Sequence, residues 1–147
     1  MNLPKDEAIA ATKRKNRALR KIIRLEDVDP IFKMLVVAII DKLNAQSGYR
    51  VAWPSVPTLA KIIGRSARTT QRCLKKVYAS EFFTVHRFSP ERAVTFMKEK
   101  FDIDVNLGRC RKFGPNVYEI NTEHALWNSG ERFPKEVAEE IRKLAGT

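Results

Sequence analysis

The stretch SVPTLAKIIGRSARTTQRCLKKVY (residues 55–78) decides how this chain is read. Ser55 is a helix cap, and Pro57 falls in a first turn, where a missing N–H leaves no hydrogen bond unmade. The spacing predicts a helix over Val56–Ile63, stopped by Gly64 accepting a left-handed backbone. Ser66 then caps a second helix from Ala67 to about Tyr78. Two short helices joined by a tight glycine turn read as a helix-turn-helix. Thr70, Cys73, Leu74 and Val77 are spaced to face inward, where Leu59 and Ile63 meet them. The outward face then carries Arg68, Gln71, Arg72 and Lys75, with Arg65 in the turn, as one surface patch.

Lys61–Lys76 holds six basic side chains, and no acid occurs from Ala60 to Ser80. A merely solvated helix face, the bland alternative, mixes signs. Arg and Gln are informative types here. A guanidinium bonds both acceptors of guanine, and a carboxamide pairs with the edge of adenine, both in the major groove. Arg68, Gln71, Arg72 and Lys75 are therefore the base-facing candidates. The capped helix N-termini offer free N–H groups to phosphate, which makes Ser55, Thr58, Lys61, Arg65, Ser66, Thr69 and Lys76 the phosphate-facing set.

The whole chain carries the same sign. Its 147 residues suit one domain, 44% of them are apolar, and the net charge is +11. That balance implies a polyanionic partner, either nucleic acid or an anionic membrane. The most apolar run, MLVVAII (34–40), is far short of the roughly 20 residues that span a bilayer. The N-terminus lacks an apolar signal core, so the expectation is a cytoplasmic, nucleoid-associated protein with no membrane partner.

Residues 1–28 read as a flexible basic arm, with Lys13, Arg14, Lys15, Arg17, Arg20, Lys21 and Arg24 and no acid among them. It is either a phosphate-binding arm or a solubilising tail. The domain proper is 29–147. Asp29-Pro30 starts a helix whose apolar residues Ile31, Phe32, Leu35, Val36, Ile39, Ile40 and Leu43 are widened by Met34, Val37 and Ala38. Such a helix is buried on more than one side. It is central in the domain or pairs with a second subunit. FFTVHRF (82–88) and NVYEIN (116–121) read as strands. Between them, an insertion (89–115) contains a helix starting at Ser89-Pro90, and a closing helix covers 134–145. A homodimer is expected through Ile31–Leu43, because Val37 and Ile40 extend the apolar surface, or else through Pro134–Ala145.

WPSVPTLAKIIGRSARTTQRCLKKVYASEFFTVHR (53–87) resembles the winged helix-turn-helix domain of bacterial, plasmid and phage replication proteins and transcription regulators. The match runs through Trp53-Pro54-Ser55, Leu59-Ala60, Gly64, Ser66, Arg68-Thr69, Arg72 and Leu74, and Asn116-Val117-Tyr118 resembles the returning wing strand. The resemblance implies a mainly α fold with a small β-wing and a recognition helix at Ala67–Tyr78. It also implies binding of double-stranded DNA, as a small regulator or accessory factor in transcription, replication or plasmid or phage maintenance. Thr70 departs from the usual aliphatic residue, and 89–115 is far longer than a plain wing loop. Arg87, Arg109, Arg111 and Lys112 are the wing candidates. An RNA-binding winged helix and a structural protein-interaction domain are the alternatives.

No catalytic constellation stands out. His86 and His124 are the only histidines, Cys73 and Cys110 are far apart, and no metal-ligand spacing or glycine-rich phosphate loop occurs. Asp102 and Asp104 read as a polar loop. The expectation is a non-enzyme without cofactor, metal or small-molecule substrate.

Overall fold

The computed structural model describes residues 3–107 and 115–146. Helices dominate, beside one small antiparallel sheet. In chain order they are α1 (Lys5–Arg24), α2 (Pro30–Asp41), β1 (Val51–Ala52), α3 (Val56–Ile63), α4 (Ala67–Ala79), β2 (Phe83–Arg87), α5 (Pro90–Phe101), β3 (Asn116–Ile120), α6 (Ala125–Asn128) and α7 (Lys135–Ala145). No helix among the described residues is long and apolar enough to cross a membrane.

The apolar character of α2 has a direct cause: α1, α3 and α4 all pack on it. Asp29 caps it by accepting from the Ile31 N–H at 2.9 Å, and Pro30 opens its first turn. Phe32, Leu35, Val36, Ile39 and Ile40 are fully buried. α2 is thus the central helix of the chain. The surplus surface ascribed to Val37 and Ile40 needs correction, because Ile40 is covered within the chain and Val37 is half-buried against the same core.

The N-terminal segment differs from the expected loose arm. It forms a 20-residue helix whose Ala11, Ala18 and Ile22 are buried, and Ala18, Ile22 and Leu25 join the main core. Small alanines allow close approach, and the first-turn acids Asp6 and Glu7 with the last-turn cations Lys21 and Arg24 complement the helix dipole. The domain therefore includes this segment.

The sheet order is β1-β3-β2, with Ala52 opposite Tyr118, Phe83 opposite Ile120 and Arg87 opposite Asn116. Alternation along the strands gives two faces. Ala52, Phe83, Tyr118 and Ile120 face the main core. Val51 and Val117 face a second, smaller core built from Ala93 and Met97 of α5 and from Ile103. The insertion thus covers the outer face of the sheet. In α7, Ile141 and Ala145 are buried, and the Ala145 carbonyl accepts from the Asp29 N–H at 2.7 Å. This ties the chain's end to the start of α2.

Candidate nucleic-acid interface

The α3–α4 pair is held by the caps read from its sequence. Ser55 accepts from the Thr58 N–H at 3.2 Å and Ser66 from the Thr69 N–H at 3.1 Å. Gly64 takes φ +67°, and its N–H returns to the Ala60 carbonyl. A side chain here would meet no neighbouring atom, so the glycine serves backbone conformation alone. On the inner side, Thr70, Cys73, Leu74 and Val77 are buried, with Leu59 and Ile63 opposite. Thr70 costs the core little, because its hydroxyl donates to the Ser66 carbonyl at 2.9 Å. Burial pushes the Cys73 thiol up, which suits an inert core position.

Arg65, Arg68, Gln71, Arg72 and Lys75 are all exposed, as are Thr58, Lys61 and Ser66; Ser55, Thr69 and Lys76 are half-buried. None of the side chains of Lys61, Arg65, Arg68, Gln71, Arg72 and Lys75 makes a hydrogen bond or ion pair among the described residues. Several basic groups elsewhere are paired. Lys98 is paired with Asp102 at 3.0 Å and Asp104 at 3.4 Å. Lys100 lies 2.6 Å from Glu119, which also pairs with His86 at 2.9 Å. Burial works to raise the Glu119 carboxyl, but Lys100 and His86 outweigh it and hold it below the usual range. His86 also stacks on Phe88, and His124 caps α6.

The α1 candidates are engaged inside the molecule. Arg14 donates to the Gly48 carbonyl at 2.8 Å, and Arg20 grips Glu131 through two bonds of 3.0 Å. Lys21 donates to Ala125 and Ser129, Arg24 lies 3.8 Å from Glu131, and Lys15 sits over the Tyr49 ring. Arg17 is half-buried; Lys13 alone of the seven is exposed without a partner among the described residues. This corrects the arm reading of these residues: most of them fasten α1 rather than reach outward.

Arg87 ends β2 beside α4, its guanidinium 5.5 Å over the Tyr78 ring, while Asn116 donates to the Tyr78 hydroxyl at 3.3 Å. Sequence reading missed Tyr78 and Asn116 as supports of Arg87; the signal was the strand register that sets Arg87 opposite Asn116. Arg109, Arg111 and Lys112 lie outside the described residues. Compared with protein-family models, curated proteins and solved structures, the chain finds no match.

Proposed function

We propose that the chain is a winged helix-turn-helix protein that binds double-stranded DNA through α4, acting as a small regulator or accessory factor in transcription, replication or plasmid or phage maintenance. One observation carries this reading. The exposed face of α3–α4 holds cations and one glutamine that have no hydrogen-bond or ion-pair partner among the described residues, and no acid occurs from Ala60 to Ser80 to neutralise them. Unpaired guanidinium groups at helical spacing suit a surface that meets phosphates and base edges. The order β1-β3-β2 beside the helix pair is what a wing on this fold would need, and Arg87 lies where a wing residue would flank α4. Here α5 replaces a short wing loop, and its cations Lys98 and Lys100 are matched by acids. The duplex contact is therefore assigned to α4 and Arg87.

Two-fold pairing belongs to the same proposal, since one recognition helix reads only a few base pairs. Ile23 and Met34, 59% and 47% exposed, are the surface for it, at the junction of α1 and α2.

Selection of preferred duplexes from a random pool, followed by Gln71→Ala, tests the reading role. If Gln71 reads a base, the substitution narrows the gap between preferred and scrambled duplexes by about 1–3 kcal/mol. An equal loss on both assigns Gln71 to the backbone.

A further inference from the structure

Away from the α3–α4 face, a pocket of about 560 Å³ opens between the last turn of α1, the loop before α7, and α7 itself. Leu25, Phe133 and Ala138 form the apolar part of its lining, which they share with Arg24, Arg132 and Arg142. The volume is within the range of small-molecule sites.

Charge in this pocket is not balanced locally. Lys21, Arg24, Arg132 and Arg142 face two carboxylates, Glu26 and Glu131. Glu131 is committed to Arg20 outside the pocket by two bonds of 3.0 Å, leaving Arg24 at 3.8 Å from it. The Arg132 side chain has no partner among the described residues. Arg142 makes one weak bond, from Nε to the Glu26 carbonyl at 3.3 Å, so the rest of its fork is open.

Lys21 adds a buried charge to the wall. It is 2% exposed, and its ammonium spends its three N–H bonds on the Ala125 carbonyl and on the carbonyl and hydroxyl of Ser129. No carboxylate of the described residues lies within ion-pair distance of it. Burial, helped by Arg17, pushes its amine down to about 8. Its Nζ lies 5.8 Å over the ring of Phe133, which also lines the pocket.

We propose that this pocket binds a small organic anion with a flat apolar body, its charge held by Arg132 and Arg142 and its body lying against Phe133 and Leu25. An anion there supplies the counter-charge that Lys21, Arg132 and Arg142 lack among the described residues, and an apolar body displaces water from the Leu25 and Phe133 side chains, which cannot hydrogen-bond it. This inference is independent of DNA binding.

Calorimetric titration of the full chain with 1-naphthoate, beside neutral 1-naphthalenemethanol and inorganic phosphate, tests it. Saturable one-site binding of naphthoate is expected, tighter than either control. Arg132→Gln or Arg142→Gln weakens it by about tenfold or more, as loss of a charge-assisted hydrogen bond does. Because the chain is so basic, Lys42→Gln at the end of α2 serves as the charge-matched control and leaves naphthoate binding unchanged. Circular dichroism and thermal unfolding confirm that each variant is folded. The proposal is overturned by absence of saturable binding, by either control binding as tightly as naphthoate, or by Lys42→Gln weakening it as much as the pocket variants.

Discussion

At Ser66 the cap and the proposed contact surface share atoms. Its hydroxyl oxygen accepts from the Thr69 N–H, and its hydrogen goes to Thr69 Oγ1 at 3.1 Å. The hydrogen left over for a phosphate is therefore that of Thr69, which makes Thr69 the better donor of the two. A different residue sets the pH response. His124 caps α6 by accepting from the Leu126 N–H at Nδ1, 3.0 Å away, which requires the neutral ring. Burial, aided by Lys21, pushes its pKa below the ordinary 6.5 against the pull of Glu81 and Glu140. A folded-state pKa below the unfolded one means that the group's stabilisation is complete above about 6.5 and is lost as pH falls below it. Thermal unfolding should thus show a melting temperature that declines as pH falls from about 6.5 towards 5. His124→Asn, which keeps a cap acceptor, should flatten that part of the profile. An identical profile in the variant would remove His124 as the cause.

Among the elements, α3 and α4 were legible almost to the residue, because Ser55, Pro57, Gly64 and Ser66 mark their ends through local backbone chemistry. The candidate site was legible for the same reason: once the helix phase is set, Arg68, Gln71, Arg72 and Lys75 must face out. α1 was not, since its buried face is built from alanines, Ile22 and the stem of Lys21, and its acceptors lie more than a hundred residues away at Ala125, Ser129 and Glu131. β1 is two residues long and defined only by its pairing with β3, and α6 is capped by a histidine, an uncommon cap. These are tertiary signals that no local window contains. The packed state of α1 has a direct check. Ile22 is fully buried, so Ile22→Ala should cost about 2–5 kcal/mol in urea unfolding. A solubilising arm would show no loss.

Across the whole molecule, among the described residues, acids pair with Lys98 and Lys100 of α5 and with Arg20 and Arg24 of α1, while none pairs with a cation of the α3–α4 face. Assembly is the first consequence at this scale. If pairing uses the exposed Ile23 and Met34, sedimentation equilibrium at micromolar protein should show mass above the 16.9 kDa of one chain, and Met34→Glu should return it to that value. A single 16.9 kDa species in the unsubstituted protein would leave pairing to be driven by adjacent sites on DNA. Duplex binding by α4 itself is tested most directly by the salt dependence of affinity. Anisotropy of a labelled duplex would be measured for the wild type, for Arg68→Ala/Arg72→Ala/Lys75→Ala on α4, and for Lys13→Ala/Arg20→Ala/Arg24→Ala on α1. Each neutralised phosphate contributes about 0.9 to the slope of log affinity against log salt, so up to three lost contacts lower it by as much as about 2.7. The account predicts that fall, with a large loss of affinity, for the α4 variant and a nearly unchanged slope for the α1 variant. A wild-type slope near zero, or a larger loss from α1 than from α4, would contradict it.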